Sequence, residues 1–411
     1  MANTTRLSPY RWVIEMLLFL GLFSQAATWL APAAILAPIM RSLNIGLGPA
    51  GLIISIIALC ISIFSLLGAV IAQRVGSLRA LLCGMWLMAI GQILSGYATT
   101  FGALLACRLA EGVGSGVMIA PPARMVMEWF GEHELPYINM VNSLCSYIGF
   151  VAAFSITAPI YLALGRSWQR VFFWYGIATG VVALAWWIFG QERPVDEFSR
   201  QTQSGPVLGE LIRRREVRLT AVTVFGAMWV FQLYTAFLPQ YFHEFRAMSL
   251  TQASALTAIL PLTGIVASIG GGMGTAIARL RKPFTWPISC LPVLGCAGAI
   301  LSPEPAVLRL SLMLVGIGMA APLPAVVTLF MELPWMTPQK IAGCFALIWS
   351  AAYAAAFLAP FVGGILATKV GLRPVMLGFI VFELLPIVAM YFLPETGTGR
   401  RRLEIAAYPA E

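Results

Sequence analysis

The sequence predicts an all-α membrane protein with twelve transmembrane helices in two six-helix halves, on three observations. Of 411 residues, 59% are apolar and 10% charged, whereas roughly a quarter of a soluble domain is charged. Twelve apolar stretches run through the chain, each near the 20 or so residues needed to cross a hydrocarbon layer of about 30 Å. Polar residues and glycines of the first half recur in the second at nearly constant spacing.

Taken in order, the predicted spans are 12–37, 50–72, 80–98, 102–124, 138–163, 171–189, 219–241, 250–277, 285–302, 306–330, 341–367 and 375–393. The first follows a short basic start and exceeds the roughly 7–15 apolar residues of a cleaved signal peptide, so it is expected to stay as a membrane helix. Internal Gly and Pro do not argue against helix, because neighbouring spans satisfy the freed backbone groups. Residues 1–190 form the first half, 191–218 a cytoplasmic linker, and 219–411 the second half with a short tail. The linker is the longest polar connection. After Pro206, the apolar Val207, Leu208, Leu211 and Ile212 recur at helical spacing beside Arg213, Arg214, Arg215 and Arg218. Two readings fit: a helix on an anionic leaflet, or a solvated linker.

An even number of spans puts both termini on one face. With that face cytoplasmic, eighteen Lys and Arg fall inside, seven fall outside, and Arg108 lies within the membrane. That bias places the termini in the cytoplasm of a cell inner membrane. The net charge of +9 is spread over the chain without a dense basic stripe, so no nucleic-acid partner is expected. Seven cysteines lie in apolar runs without a CxxC pair, and there are two histidines. Neither disulfides nor a metal site nor a cofactor is expected, and the chain is read as a monomer in the bilayer.

Gln25, Thr28 and Pro32 of span 1 return 207 residues later as Gln232, Thr235 and Pro239. Gly112, Gly114 and Glu128 return after 204 as Gly316, Gly318 and Glu332, and Ala158-Pro159 after 201 as Ala359-Pro360. Offsets that drift so little indicate duplication, and parallel repeats of this kind are a transporter architecture with a solute site at the midplane between halves.

Two further stretches carry a family resemblance. The loop after span 2 reads AVIAQRVGSLR from Ala69 to Arg79, and span 4 reads RLAEGVGSG from Arg108 to Gly116. Both resemble the major facilitator superfamily. Its loop signature, roughly GxxxDRxGRR, is matched by Arg74, Gly76 and Arg79, with Gln73 where an acidic residue is usual. The second copy, GTAIARLRK from Gly274 to Lys282, keeps Arg279 but has Ala278 at the acidic position and lacks the second Gly. The resemblance implies that Arg74, Gly76, Arg79 and Arg279 belong to a conformational-switch loop. Trp168, Arg170 and Phe172 at the start of span 6 also resemble the family. The signature of drug and proton antiporters is poor in span 5, where Gly149 is followed by Ala158-Pro159.

Apart from Arg124 at the very end of span 4, five charges fall within the spans. Glu15 and Arg309 are read as near enough to an end to snorkel. Of the other three, Arg108 and Glu111 lie three apart on one face of span 4 and can pair directly. They sit about 9 and 13 Å from its outer end at about 1.5 Å per residue. An intramembrane charge costs about 2.5–3.5 kcal/mol and is a functional hypothesis by default. Either Glu111 carries a proton while Arg108 tunes it, or the two form a permanent pair packing span 4 on span 1; Arg108 alternatively binds an anionic solute. Glu383 in span 12, beside Pro386, is read as a structural contact.

Solute contacts are expected from Gln25, Thr28 and Trp29 and from Trp229, Gln232 and Thr235, with Asn142 and, in span 11, Trp349 and Tyr353. Amides and hydroxyls give directional hydrogen bonds, and indoles give stacking surface. The same residue types also bond helix to helix. The glycine-rich runs Gly112–Gly116 and Gly270–Gly274 are read as close-packing surfaces.

Together these features point to a secondary transporter of a small organic solute, proton-coupled and working by alternating access. Multidrug efflux, uncoupled facilitation and a non-transporting solute sensor remain as alternatives. There is no GxxxxGK[ST] motif for ATP drive. Nor is an enzyme expected, since His133 and His243 are placed in loops on opposite faces.

Overall fold

A computed structural model describes residues 9–119, 121–131, 134–192, 208–336 and 338–397. The readings of His133, Arg193, Arg200, Pro206, Val207, the side chain of Gln73 and Arg400–Arg402 lie outside the described residues.

Twelve helices in the described residues are long and apolar enough to cross a membrane. In order, spans 1 to 6 are Arg11–Ala34, Leu47–Ser65, Ser77–Ser95, Phe101–Trp129, Met140–Ala163 and Trp168–Phe189. Spans 7 to 12 are Arg215–Phe245, Leu250–Ala278, Lys282–Leu301, Pro305–Met331, Gly343–Val370 and Leu372–Phe392. The helix of span 2 continues to Val75 and is stopped by Gly76 in a positive-φ conformation (φ 99°). Span 3 therefore begins at Ser77, earlier than expected. The copy between spans 8 and 9 lacks that glycine, yet the left-handed stop is kept: Arg279 takes φ 53° and its N–H bonds the Thr275 carbonyl at 3.1 Å. Proline divides spans 4 and 10 internally, at Pro121-Pro122 and Pro322.

The chain divides into two compact units, Met1–Ser199 with Ala236–Ala255 and Arg200–Thr235 with Leu256–Glu411. In the first, span 4 packs on spans 2 and 3, span 1 on span 5, and span 3 on span 6. The span 4 glycines permit this. A Cβ on Gly84 would fall 2.7 Å from the Gly114 carbonyl, and one on Gly112 would fall 2.8 Å from Cys60 Cβ, so spans 3 and 2 meet span 4 backbone to backbone. The end of span 7 and start of span 8 are held in this unit too. Ser254 Oγ donates to the Phe154 carbonyl at 2.6 Å, and Arg41 Nη2 lies 3.1 Å from His243 Nε2. His243, expected in a loop, lies in the last turn of the span 7 helix.

The second unit repeats the pattern. Span 10 packs on spans 8 and 9, and span 9 on span 12. A Cβ on Gly316 would overlap the Leu260 carbonyl of span 8 and one on Gly318 would overlap Pro292 of span 9, so the repeated glycines do the same work in both copies. Of the linker, the structure describes residues 191, 192 and 208–218. Leu208–Arg213 is a short helix whose Leu211 is fully buried with Val217, Phe330, Leu333, Cys344 and Ile348, and Arg214 lies 5.0 Å from the Trp335 ring centre. Leu211 packs into the protein, which removes its apolar surface from solvent. Ile212 stays about half exposed.

Candidate functional site

Span 4 carries its charges where span 1 leaves a backbone carbonyl without its helical donor. Pro32 lacks an N–H, so the carbonyl four residues earlier, that of Thr28, has no helical donor. Arg108 supplies one. Its Nη1 donates to the Thr28 carbonyl at 3.2 Å and to Glu111 Oε2 at 2.7 Å, Nη2 to the Trp29 carbonyl at 3.0 Å, and Nε to the Ile53 carbonyl of span 2 at 3.1 Å. Both side chains of the pair are completely buried. Three spans are thus fastened by one guanidinium, whose fixed fork suits several acceptors at once.

Glu111 is less well served. Its Oε2 accepts from Arg108, whereas Oε1 is buried with no hydrogen-bonding neighbour among the described residues beyond the Thr28 hydroxyl close to the carboxyl. An ionised carboxylate out of water requires partners for both oxygens. At the matching positions of the second unit, Leu312 and Val315 are fully buried in apolar packing.

The expected solute residues separate into those with spent and unspent donors. Trp29 Nε1 donates to the Ile54 carbonyl at 3.2 Å, which ties span 1 to span 2. Thr28 Oγ1 lies 3.3 Å from the Gln25 carbonyl and also close to the Glu111 carboxyl, whereas Thr235 Oγ1 donates within its own helix to the Phe231 carbonyl at 2.8 Å. Trp229 is packed on Phe382, with ring centres 4.2 Å apart, and on Phe379, and its buried Nε1 has no hydrogen-bond partner among the described residues. Gln25 and Gln232 are buried, and Gln232 Nε2 has no partner among the described residues. Asn142 is half-buried, Trp349 is exposed at 36%, and Tyr353 lies next to it with ring centres 6.2 Å apart.

Two acids differ from their sequence reading or add to it. Glu15 does not snorkel. It is 6% exposed, with its carboxyl against the Asn142 side chain of span 5, because its face of span 1 packs on span 5. Glu383 is 1% exposed in a 3-10 stretch, Phe379–Glu383, near Cys296 of span 9.

The two loops after spans 2 and 8 hold an element the sequence reading missed. Arg74 and Arg79 are exposed. Glu192, just after span 6, accepts from Ser77 N–H at 2.6 Å. Glu395, just after span 12, accepts from the N–H groups of Arg281, Lys282 and Gly397 at 2.8–3.1 Å. These glutamates are 203 residues apart, within the drift of the other repeats, and that spacing was the available signal. Beside Glu395, Arg281 grips Glu332 through Nε and Nη2 at 3.1 and 2.7 Å, and Thr396 donates to the same carboxylate at 2.8 Å.

With this geometry in hand, comparisons with known proteins place the chain. The family model described as Major Facilitator Superfamily matches residues 17–343. The chain is 25% identical over 307 residues to the hexuronate transporter of Bacillus subtilis (strain 168), covering 68% of this chain and 71% of that protein. It is 22% identical over 346 residues to the probable sulfoacetate transporter SauU of Cupriavidus necator, covering 76% of each. The crystal structure of a bacterial homologue of the human lysosomal transporter Spinster superposes with a TM-score of 0.81 at 15% identity, covering 97% of this chain and 98% of that one. The chain belongs to the Major Facilitator Superfamily and is a membrane transporter of small organic solutes.

Proposed function

From that membership we propose that the protein imports a small organic anion together with a proton, by alternating access, in a bacterial inner membrane with both termini cytoplasmic. The observation that carries the reading is the half-paired Glu111. When it is ionised, Arg108 balances it at 2.7 Å; when it is protonated, Arg108 still has the carbonyls of Thr28, Trp29 and Ile53 and is not stranded. A permanent pair needs no such reserve. Glu111 is therefore the proton carrier, and Arg108 the residue that positions it.

The anion follows from chemistry shared by two relatives named for organic acids, hexuronate and sulfoacetate. Uptake of a monoanion against an inside-negative potential costs about 2.3 kcal/mol per 100 mV, and a co-transported proton cancels that charge. Gln25 in the first unit and Gln232 in the second are the proposed polar solute contacts, with Trp349 and Tyr353 as stacking surface. The loops stopped by Gly76 and Arg279 and held by Glu192 and Glu395 are the proposed rigid ends on which the units turn. The Lys and Arg bias along the chain supports the orientation.

The test is uptake of labelled hexuronate or sulfoacetate by proteoliposomes under an imposed pH gradient, beside thermal-shift screening of a metabolite and drug panel across pH. Accumulation that collapses with a protonophore is expected. Stabilisation by amphipathic drugs and by no organic anion points to efflux and contradicts the reading.

A further inference from the structure

A cavity of about 550 Å³ opens on the flank of the second unit, lined by Leu262, Val266, Gly270 and Gly271 of span 8, Phe284, and Ile317 of span 10. The glycine run that the sequence reads as a packing surface divides here into two roles. A Cβ on Gly271 would overlap the Ala321 carbonyl, so Gly271 brings spans 8 and 10 together. A Cβ on Gly270 would meet nothing within 4 Å. Gly270 adds nothing to the helix contact and leaves the groove open.

The same face of span 8 continues along the helix through Met273 and Ile277, which are 60% and 79% exposed. Its surroundings are hydrocarbon, and an apolar groove left unfilled there forfeits dispersion contacts on one side. At the end of this face stand three basic residues. Arg281 is spent on Glu332. Arg279, held in the left-handed turn, is exposed, and Lys282 Nζ lies over the Tyr391 ring at 5.5 Å. Gly270 and Arg279 are nine residues apart, about 13 Å along a helix, so apolar groove and cations form one amphipathic track.

We propose that this track binds an anionic phospholipid, one acyl chain lying past Gly270 and the phosphate at Arg279 and Lys282. The apolar lining takes the chain, and the two cations select the headgroup. Surface cations favour anionic lipid by roughly fivefold each, or about thirtyfold for the pair.

Native mass spectrometry of the full-length protein in detergent, titrated with phosphatidylglycerol or phosphatidylcholine of matched chains, tests the assignment. Phosphatidylglycerol is expected to bind about thirtyfold more tightly. Arg279→Gln combined with Lys282→Gln is expected to bring the two lipids level, and Gly270→Phe, whose ring fills the groove, to weaken both. Equal binding of the two lipids to the unaltered protein overturns the proposal, as does a preference that survives the double substitution. Undiminished binding in Gly270→Phe overturns it too; should that variant fold poorly, Gly270→Leu gives the same reading with a smaller side chain.

Discussion

Arg108 and Glu111 are charged partners with unequal reserves. Removing Arg108 leaves a buried carboxylate with only the Thr28 hydroxyl beside it, and breaking a buried pair in this way costs about 3–5 kcal/mol. Removing the charge of Glu111 leaves Arg108 with three backbone carbonyls. Arg108→Gln is therefore expected to lower the melting temperature of the detergent-purified protein much further than Glu111→Gln, and equal losses would count against the unequal reserves. The pair itself was legible in the sequence, since opposite charges three apart in an apolar run share a helix face and neutralise each other most readily by pairing. Its carbonyl partners were not, because main-chain acceptors carry no residue signature. Glu15 was misread for a related reason. Distance from a helix end says where a side chain stands along the membrane normal, whereas the face it occupies depends on span 5 packing against it.

At the level of elements, the loop ends are held by acids lying just beyond the last span of each unit. Glu395 collects three backbone N–H groups, each charge-assisted, and such bonds contribute about 1.5–3 kcal/mol apiece. Glu395→Gln keeps the size of the side chain but removes the charge, and a lower melting temperature is expected; an unchanged one would show that the cap contributes nothing. Arg281 holds the Glu332 carboxyl below the usual carboxylate range, chiefly through its hydrogen bonds. A carboxyl whose folded pKa lies below its unfolded value, about 4.3, adds stability above that pH and loses it as pH falls through the folded pKa. Melting curves from pH 6 down to about 3 are thus expected to fall less steeply for Glu332→Gln than for the unaltered protein. Helix glycines separate as clearly: Gly114→Ala, which would drive a Cβ into the Gly84 carbonyl, is expected to destabilise, and Gly270→Ala to be neutral or better. Comparison of the two by thermal shift checks this, and similar losses would contradict it. Glycine spacing showed that helices approach closely, but it did not show which glycines face a neighbour.

Across the whole molecule, duplication accounts for most of what the sequence revealed. Twelve spans, repeated Gln and Pro positions and the paired glycines of spans 4 and 10 all follow from two copies of one six-helix design. The repeat of Glu192 and Glu395 fits the same offset, but it lies outside the apolar runs where most of the other repeats stand. What duplication does not copy is the charge: Arg108 and Glu111 correspond to Leu312 and Val315 in the second copy. We therefore propose that coupling resides in the first unit alone. The most direct test compares Glu111→Gln with the unaltered protein in proteoliposomes, for proton-driven accumulation of an organic anion and for its exchange across the membrane without a gradient. Loss of accumulation with exchange retained is the predicted result. Accumulation that keeps its full dependence on the proton gradient would contradict the assignment of Glu111 as the proton carrier.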